Sequence, residues 1–209
     1  MADSRAAILA AVRRARPAEA PLPPEDVAGS ASAGDLAAAF AQACEAAGAR
    51  CVRVAEPGGL QAAVRALPGA AGAGRVYSAL PGVRGDAFAP EELADPRRLE
   101  GLPLAVLPGA FGVAESGAVW VEAGALSQRA VLWLAEHLAL VVPAAELVPD
   151  LHAAYARLRF PGPGFGVFVA GPSKTADIEQ ALVIGAQGPR TTTVLLVGAA
   201  AYTKSGSVV

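Results

Sequence analysis

Cysteine and histidine are scarce in this sequence. The 209 residues include two cysteines, Cys44 and Cys51, and two histidines. An iron–sulfur cluster is usually held by four cysteine thiolates, and a structural zinc ion also takes four protein ligands. The chain is therefore expected to bind neither on its own. We expect both cysteines to be buried structural residues.

Long apolar runs are also missing, although 54% of the residues are hydrophobic and the mean hydropathy is +0.41. A membrane-spanning helix needs about 20 consecutive apolar residues, and even residues 130–142 are interrupted by Glu136 and His137. The apolar stretch at residues 6–12 is followed by arginines within residues 13–16, where a signal peptide has small neutral residues. We therefore predict a cytoplasmic protein, a setting that disfavours a stable disulfide.

An excess of positive charge is absent as well. The formal net charge is −2 and the pI is near 5.7, whereas a nucleic-acid surface needs clustered lysine and arginine. The glycines within residues 69–74 precede a predicted strand instead of following one, so they do not form a Rossmann fingerprint. No G-x-S-x-G elbow occurs either, which argues against a serine hydrolase of the α/β type.

Predicted helices and strands alternate along the chain. A helix over residues 3–15 precedes a proline-rich segment, and a second helix over residues 36–47 has Asp35 as its N-cap and ends at Gly48. The further predicted elements are strands at 50–54, 75–79, 104–107, 118–122 and 138–142, and helices at 57–67, 127–136 and 149–158. This alternation predicts an α/β fold with a mostly parallel sheet flanked by helices. We divide the chain into an N-terminal helix (1–16), a proline-rich linker (17–32) and one domain (33–209).

The C-terminal segment predicts a compact βαβ unit. Residues 165–170 form an apolar run typical of a strand buried on both faces, and residues 191–197 form a second strand. Between them we predict a helix that has Ser173 or Thr175 as its N-cap and ends at Gly185. The other residues that define this helix are Asp177 and Glu179 in its first turn and Ile178, Leu182 and Val183 on its buried face.

The loop at residues 171–175 is a candidate anion site. Free N–H groups at a helix start, the hydroxyls of Ser173 and Thr175 and the ammonium of Lys174 would together bind a phosphate or a carboxylate. The loop is not a P-loop, because that motif has a glycine immediately before its lysine. The alternative is a well-capped helix whose Lys174 extends into solvent.

Glu115 is the most conspicuous carboxylate in the sequence, because it lies in an otherwise apolar segment beside Ser116 and Gly117. Gly117 permits a positive φ or a close approach of the backbone to another group. A buried carboxyl at Glu115 could act as acid, base or nucleophile. The alternative is a glutamate that accepts hydrogen bonds from loop amides and fixes the bend.

His137 lies where the helix predicted over residues 127–136 gives way to a strand, and that helix is expected to direct Leu132 and Trp133 inward. A histidine at such a junction can carry a proton near neutral pH. The alternative is a core histidine with satisfied hydrogen bonds. The second histidine, His152, is expected to lie in solvent.

Two segments of the sequence carry a family resemblance: residues 171–197, GPSKTADIEQALVIGAQGPRTTTVLLV, and residues 112–124, GVAESGAVWVEAG. They resemble the LUD-domain family, specifically its lactate utilisation protein C (LutC, YkgG) type. The first segment is similar to the family's C-terminal signature, and the second is similar to its Ala-Glu-Thr-Gly segment, with Ser116 where threonine is usual. The similarity extends over most of the chain from about Ala33 onward.

The resemblance implies a fold related to the NagB/RpiA/CoA-transferase superfamily. It also implies a part in oxidising L-lactate to pyruvate, together with LutA-like and LutB-like iron–sulfur proteins. The clusters would lie in those partners, and this chain would contain no cofactor. Two alternatives remain: a stand-alone transferase or hydrolase of the superfamily with Glu115 as its nucleophile, and a non-catalytic adaptor.

We expect the two glycine-bearing loops to form one site, because bends at the C-terminal ends of sheet strands converge on a crevice. The Glu115 carboxylate should then lie within about 10 Å of the Ser173 hydroxyl or the Lys174 backbone. The candidate residues are Glu115 for catalysis and, for binding a small carboxylate or phosphate, Gly117, His137, Gly171, Ser173, Lys174, Thr175, Asp177, Glu179 and Arg190.

Overall fold

A computed structural model describes residues 2–17, 21, 35–55, 58–71, 75–159, 164–176 and 182–198 of the chain. The chain divides into two compact units, residues 1–30 and 31–209. In the first unit, helix α1 (Ala2–Arg14) ends in two arginines, whose charge complements the negative end of its dipole. The apolar residues Ile8 and Val12 of this helix are exposed.

The second unit contains the remaining helices and strands. In chain order they are α2 (Leu36–Ala46), β1 (Arg50–Val54), α3 (Gly59–Arg65), β2 (Val76–Ser78), α4 (Pro90–Ala94), β3 (Leu104–Pro108), β4 (Phe111–Val113), β5 (Ala118–Val121), α5 (Val131–Leu134), β6 (His137–Pro143), β7 (Leu147–Val148), α6 (Leu151–Arg157), β8 (Val167–Val169), β9 (Lys174–Ala176), β10 (Leu182–Ile184) and β11 (Thr191–Val197). Short 3₁₀ helices lie at Pro96–Leu99, Ala123–Ala125 and Ala144–Glu146.

A five-stranded sheet forms the centre of this unit, with the strand order β1-β11-β6-β3-β2 and every neighbouring pair parallel. Strands β3, β6 and β11 are almost entirely buried, as expected for strands covered on both faces. Alternate residues enter two separate hydrophobic clusters: Leu107 packs with Phe40 of α2, whereas Val106 packs with Leu60 of α3. The predicted α/β fold with a mostly parallel sheet between helices is therefore confirmed.

Helix α2 begins as the sequence predicts. The Asp35 carboxylate accepts hydrogen bonds from the amides of Ala37 (3.0 Å) and Ala38 (3.2 Å), which are among the helix-start donors that lack a partner within the helix. The chain leaves the helix through Gly48, whose φ is +84°. The cap and the terminating glycine therefore fix both ends of α2.

A second sheet packs beyond the C-terminal ends of the central strands, with the order β7-β4-β5-β8. Strands β4 and β5 form an antiparallel hairpin, and β8 pairs antiparallel with β5. A small aromatic cluster covers this sheet, in which the rings of Trp120 and Phe168 lie 4.7 Å apart. The Gly109 amide donates to the Val141 carbonyl at 2.8 Å, which ties the entry of the hairpin to β6.

The predicted C-terminal βαβ unit is wrong. Strand β8 is half-buried and belongs to the second sheet, and residues predicted to start a helix instead form β9, which pairs antiparallel with β10. Neither Ser173 nor Thr175 is therefore a helix cap, and Leu182 and Val183 are exposed instead of forming a buried stripe. β-branched residues in both strands favour the extended backbone, and the turn at Gly185 has a φ of +80°. Asp177, Ile178 and Glu179 lie outside the described residues.

The helix predicted over residues 127–136 is also shorter than expected, since α5 covers only Val131–Leu134. Leu132 is buried as predicted, but the inward orientation predicted for Trp133 is wrong, because 45% of this residue is exposed. Among the described residues, no helix is long and apolar enough to cross a membrane.

Candidate functional site

A cavity of about 340 Å³ opens at the end of β8. Its wall combines the loop that follows β8, two residues of α5 and the turn before β11. The lining residues are Leu132, Trp133, Leu138, Val167, Phe168, Val169, Ala170, Gly171, Pro172, Ser173, Lys174, Thr175, Gln187, Gly188 and Pro189. Four candidate ligand residues, Gly171, Ser173, Lys174 and Thr175, therefore lie in one concave site.

Backbone hydrogen bonds hold the loop of this cavity in place. The Ser173 amide donates to the Pro189 carbonyl at 2.9 Å, and the Ser173 carbonyl accepts from the Gly185 amide at 2.9 Å. The Thr192 hydroxyl donates to the Gly171 carbonyl at 3.0 Å, which ties the loop to β11. The loop is therefore held by the central sheet. Its predicted position at a helix N-terminus is wrong.

Lys174 has a structural partner that the sequence does not reveal. Its Nζ donates to the Ala47 carbonyl at 2.7 Å, at the C-terminal end of α2. A cation at this end complements the helix dipole and satisfies a carbonyl that lacks an intrahelical partner. Gly48 makes room for the contact, since a Cβ there would lie 3.1 Å from Nζ. An ammonium has three donors, so Lys174 can cap α2 and still donate to a ligand.

The chemistry of the lining suits the binding of an anion. Lys174 supplies a positive charge, Ser173 and Thr175 supply hydroxyls, and Trp133 with Val167 supplies apolar surface. Among the described residues that line the cavity, none is a carboxylate or a histidine. Such a site suits a small anion with an apolar end.

Glu115 lies in the turn between β4 and β5, outside this lining, and its side chain is exposed. Its Oε2 accepts a hydrogen bond from the Leu151 amide at 3.1 Å, and its own amide donates to the Pro149 carbonyl at 3.0 Å. The carboxylate thus fixes the turn against the start of α6, where negative charge is favourable. These contacts favour the interpretation that Glu115 fixes a loop. They argue against the alternative that Glu115 is a buried nucleophile.

The two glycine-bearing loops do lie at the same end of the second sheet. Strands β5 and β8 are antiparallel with Val119 opposite Val169, so the start of β5 and the end of β8 share one edge. Leu151, whose amide donates to Glu115, follows β7, however, whereas Ser173 follows β8. Strands β7 and β8 form the two opposite edges of this sheet. A site shared by Glu115 and Ser173 stays a prediction.

Helix α2 is the common support of both loops. Gly117 has a φ of +66°, and a Cβ there would lie 2.4 Å from the Cys44 amide nitrogen. Gly171 has a φ of +72°, and a Cβ there would lie 2.1 Å from the Ala47 carbonyl oxygen. Both glycines therefore allow a close approach of their loops to one helix.

His137 and Arg190 have partners outside the cavity lining. His137 Nδ1 lies 2.8 Å from the Thr191 hydroxyl, and the ring is half-buried, which matches the alternative of a satisfied core histidine. Arg190 Nη1 forms an ion pair with Glu136 at 2.8 Å, at an exposed position. The predicted ligand roles of these two residues and of Gly117 stay predictions.

Sequence reasoning missed the other wall of the cavity. Trp133 and Gln187 were not among the candidate residues, although both line the site. The Gly-Pro pair at residues 188–189 signals a turn, but nothing local indicates that this turn faces the loop after β8. Within the described part of the chain, no group of three or more His, Cys, Asp or Glu side chains could hold a metal ion.

The segment that contains the cavity is similar to known proteins. Residues 105–197 match the LUD domain family. The chain is 36% identical over 91 residues to lactate utilization protein C 1 of Bacillus mycoides, and 33% identical over 85 residues to lactate utilization protein C of Halalkalibacterium halodurans. These matches cover 41% and 38% of this chain, and 39% and 37% of the relatives. The matched part thus spans about two fifths of the relatives' length.

A solved structure has a similar fold. A DUF162-family protein from Deinococcus radiodurans superposes with a TM-score of 0.55 at 18% sequence identity. The superposition covers 78% of this chain and 96% of that protein. The likeness agrees with the α/β architecture described above.

Proposed function

We propose that this chain is a LUD-domain protein of the lactate utilization protein C type and that it serves in lactate utilisation, as one component of a multi-subunit system that oxidises L-lactate to pyruvate. The match of residues 105–197 to the LUD domain family and the similarity to two proteins named lactate utilization protein C support the proposal. The observation that carries the proposal is that the cavity lies within the segment that matches the family. Every residue that lines the cavity lies between Leu132 and Pro189, within the segment that matches the family.

The ligand in this proposal is a small carboxylate. Ligand sites typically have volumes of roughly 300–1,000 Å³, so a cavity of about 340 Å³ suits a molecule of few atoms. A carboxylate would accept hydrogen bonds from Lys174 and from the hydroxyl of Ser173 or Thr175. The apolar side chains of Trp133 and Val167 would face the methyl end of a molecule such as lactate or pyruvate.

The electron acceptors in this proposal are in partner proteins. Oxidation of lactate to pyruvate releases two electrons and two protons, which an acceptor must take up. The full sequence has two cysteines, which are too few to hold an iron–sulfur cluster by themselves. We therefore assign the iron–sulfur clusters to LutA-like and LutB-like partner proteins and no cluster to this chain.

Lactate-dependent reduction of a redox dye tests the role in oxidation. The chain should be purified alone, and LutA-like and LutB-like iron–sulfur proteins should be purified without it. We expect no dye reduction by the chain alone, and reduction that depends on L-lactate only when all components are combined. Omitting this chain should lower the rate by at least about tenfold, as expected for an essential component.

D-Lactate serves as the control for stereospecific turnover in that assay. Full activity of the iron–sulfur proteins without this chain would contradict a role in the oxidation system. Dye reduction by the chain alone would contradict the assignment of the redox centres to partners. Visible cluster absorbance in the chain after anaerobic purification would contradict the same assignment.

Anion binding at the cavity is tested by thermal unfolding with L-lactate, pyruvate, phosphate or sulfate. A ligand present at 100 times its Kd stabilises the folded state by about 2.7 kcal/mol. For a protein of this size the Tm should then rise by roughly 5–10 °C. Lys174→Met should abolish the rise, because it removes the charge and keeps most of the side-chain stem.

Lys174→Met also removes the cap of α2, so its Tm without ligand should be lower than that of the unmodified chain. The ligand-induced shift within each variant is therefore the relevant quantity. Arg65→Ala is a matched control, since it also removes one exposed positive charge but at the end of α3, outside the cavity lining. An equal shift in Lys174→Met and in the unmodified chain would show that Lys174 only caps the helix.

A further inference from the structure

Two thiols meet beneath the β4–β5 turn. Cys44 lies in α2 and is fully buried, and its Sγ donates a hydrogen bond to the Gly117 carbonyl at 3.5 Å. Cys51 lies in β1, an edge strand of the central sheet, and is only half-buried. The expectation that both cysteines are buried is therefore correct for Cys44 and wrong for Cys51.

The path of the chain brings the two side chains together. The chain leaves α2 through the C-cap residue Ala47 and through Gly48, and the Ala49 amide donates to the Cys44 carbonyl at 2.8 Å. The chain therefore reverses at once into β1. Residues two apart on a strand share a face. Cys51 therefore faces the same side as Arg53, whose guanidinium reaches the N-cap residue of α2, Asp35, at 3.8 Å.

Both cysteines face the hydrophobic cluster between α2 and the central sheet, Cys44 within it and Cys51 packed against it, and their environments differ. The neighbouring Cys44 thiol, together with the positive charge of Arg53, lowers the pKa of Cys51. The neighbouring Cys51 thiol, followed by burial, raises the pKa of Cys44. Cys51, the more accessible of the two, is therefore also the one that ionises more readily. This arrangement is typical of an attacking cysteine, here Cys51, beside a resolving cysteine, here Cys44.

We propose that Cys44 and Cys51 form a redox-active dithiol that closes to an intramolecular disulfide by exchange with a disulfide oxidant, such as oxidised glutathione. Two observations carry this inference: both side chains pack in the cluster between α2 and the central sheet, and the two residues are unequally exposed. It does not depend on the role proposed for the cavity. Reversible disulfides of this kind also occur in cytosolic proteins, where stable structural ones are rare.

The exchange proceeds in two balanced steps. The Cys51 thiolate attacks one sulfur of the oxidant, which forms a mixed disulfide and releases one thiolate of the oxidant. Cys44 then loses its proton and attacks the Cys51 sulfur, which releases the second thiolate. The two cysteines are oxidised and the oxidant is reduced to two thiols. Capping Cys51 also removes the negative charge of its thiolate, which disfavours ionisation of the neighbouring Cys44.

Oxidation would change a contact of the β4–β5 turn. A disulfide sulfur has no hydrogen, so the Cys44 thiol could no longer donate to the Gly117 carbonyl. Gly117 packs against the backbone of α2 at the same place. The oxidised protein should therefore hold this turn less tightly than the reduced protein does.

The test is treatment of the full chain with oxidised glutathione, followed by intact-mass measurement and thiol titration. The unmodified chain should lose both free thiols together, lose the mass of two hydrogen atoms and retain no glutathione. Dithiothreitol should restore both thiols. Cys44→Ala, which cannot resolve the mixed disulfide, should retain one glutathione at Cys51.

The Cys51→Ser variant should react slowly with oxidised glutathione, because the one thiol that remains in it, Cys44, is buried. Cys44 in that variant should react at least about tenfold more slowly than Cys51 does in Cys44→Ala, since it must wait for local opening. Should Cys44→Ala unfold, Cys44→Ser keeps a side chain of similar size and makes the same test. Glutathione retained by the unmodified chain, or a Cys51 that stays free in both Cys44 variants, would overturn the proposal.

Discussion

Replacing Gly117 by alanine should destabilise the protein by roughly 2–5 kcal/mol, because the substitution combines backbone strain with steric overlap. The residue has a φ of +66°, in the left-handed region that residues with a Cβ avoid. The new Cβ would lie 2.4 Å from the Cys44 nitrogen and 2.6 Å from the Ala43 carbonyl carbon. Both are backbone atoms of α2, so relief requires the helix or the turn to move. Urea unfolding at constant m-value measures the loss.

Gly101→Ala separates the two causes. Gly101 has a similar φ of +71°, but no atom lies within 4 Å of the position that its Cβ would occupy. This variant should lose only the backbone strain, about 1–2 kcal/mol. Equal losses in Gly101→Ala and Gly117→Ala would contradict the close packing of the β4–β5 turn on α2.

The central sheet was predictable because its signals are local. Strands β3, β6 and β11 read as short runs of apolar residues, and α2 has a capping aspartate before it and a glycine after it. Burial on both faces then implies parallel strands with helical cover. The predicted and observed bounds agree to within about two residues for these elements, which is the usual uncertainty at element ends.

The C-terminal hairpin was not predictable from the same kind of signal. A serine and a threonine near acidic residues are typical of a helix start, yet Thr175, Val183 and Ile184 lie in strands. Their β-branched side chains favour strands only weakly, so local preference did not decide between the two structures. The pairing of β9 with β10 is a tertiary result that the pattern leaves open.

The physical reason for which the sequence analysis chose the loop at residues 171–175 is wrong, and the role of this loop as a ligand site stays a prediction. The loop at residues 171–175 does line a cavity, but no helix begins there. Its lysine donates to Ala47, which is 127 residues away in the sequence. Contacts at that separation depend on the whole topology, so neither the cap of α2 nor the wall at Trp133 could be derived from local spacing. The resemblance in residues 171–197 identified the segment without its geometry.

Replacing Phe40 by alanine should destabilise the protein by roughly 3–5 kcal/mol, the range typical of a buried phenylalanine. Phe40 is fully buried on the sheet side of α2 and packs with residues of β3, β6 and β11. Its ring also approaches Gly112 so closely that a Cβ there would lie 2.8 Å from Cε2. The ring therefore holds α2 against β4 as well as against the central sheet, and a cavity in its place would loosen the support of both glycine loops.

Phe165→Ala is the matched control for this last prediction, because it removes the same side chain from a position that is 43% exposed. Its loss should be about 1 kcal/mol or less, since little apolar area returns to water and no closed cavity forms. Urea unfolding of both variants measures the difference, and thiol titration of Phe40→Ala reports whether Cys44, one turn along the same helix, becomes accessible. Similar losses in the two variants, with Cys44 still protected, would show that α2 does not depend on this ring for its position.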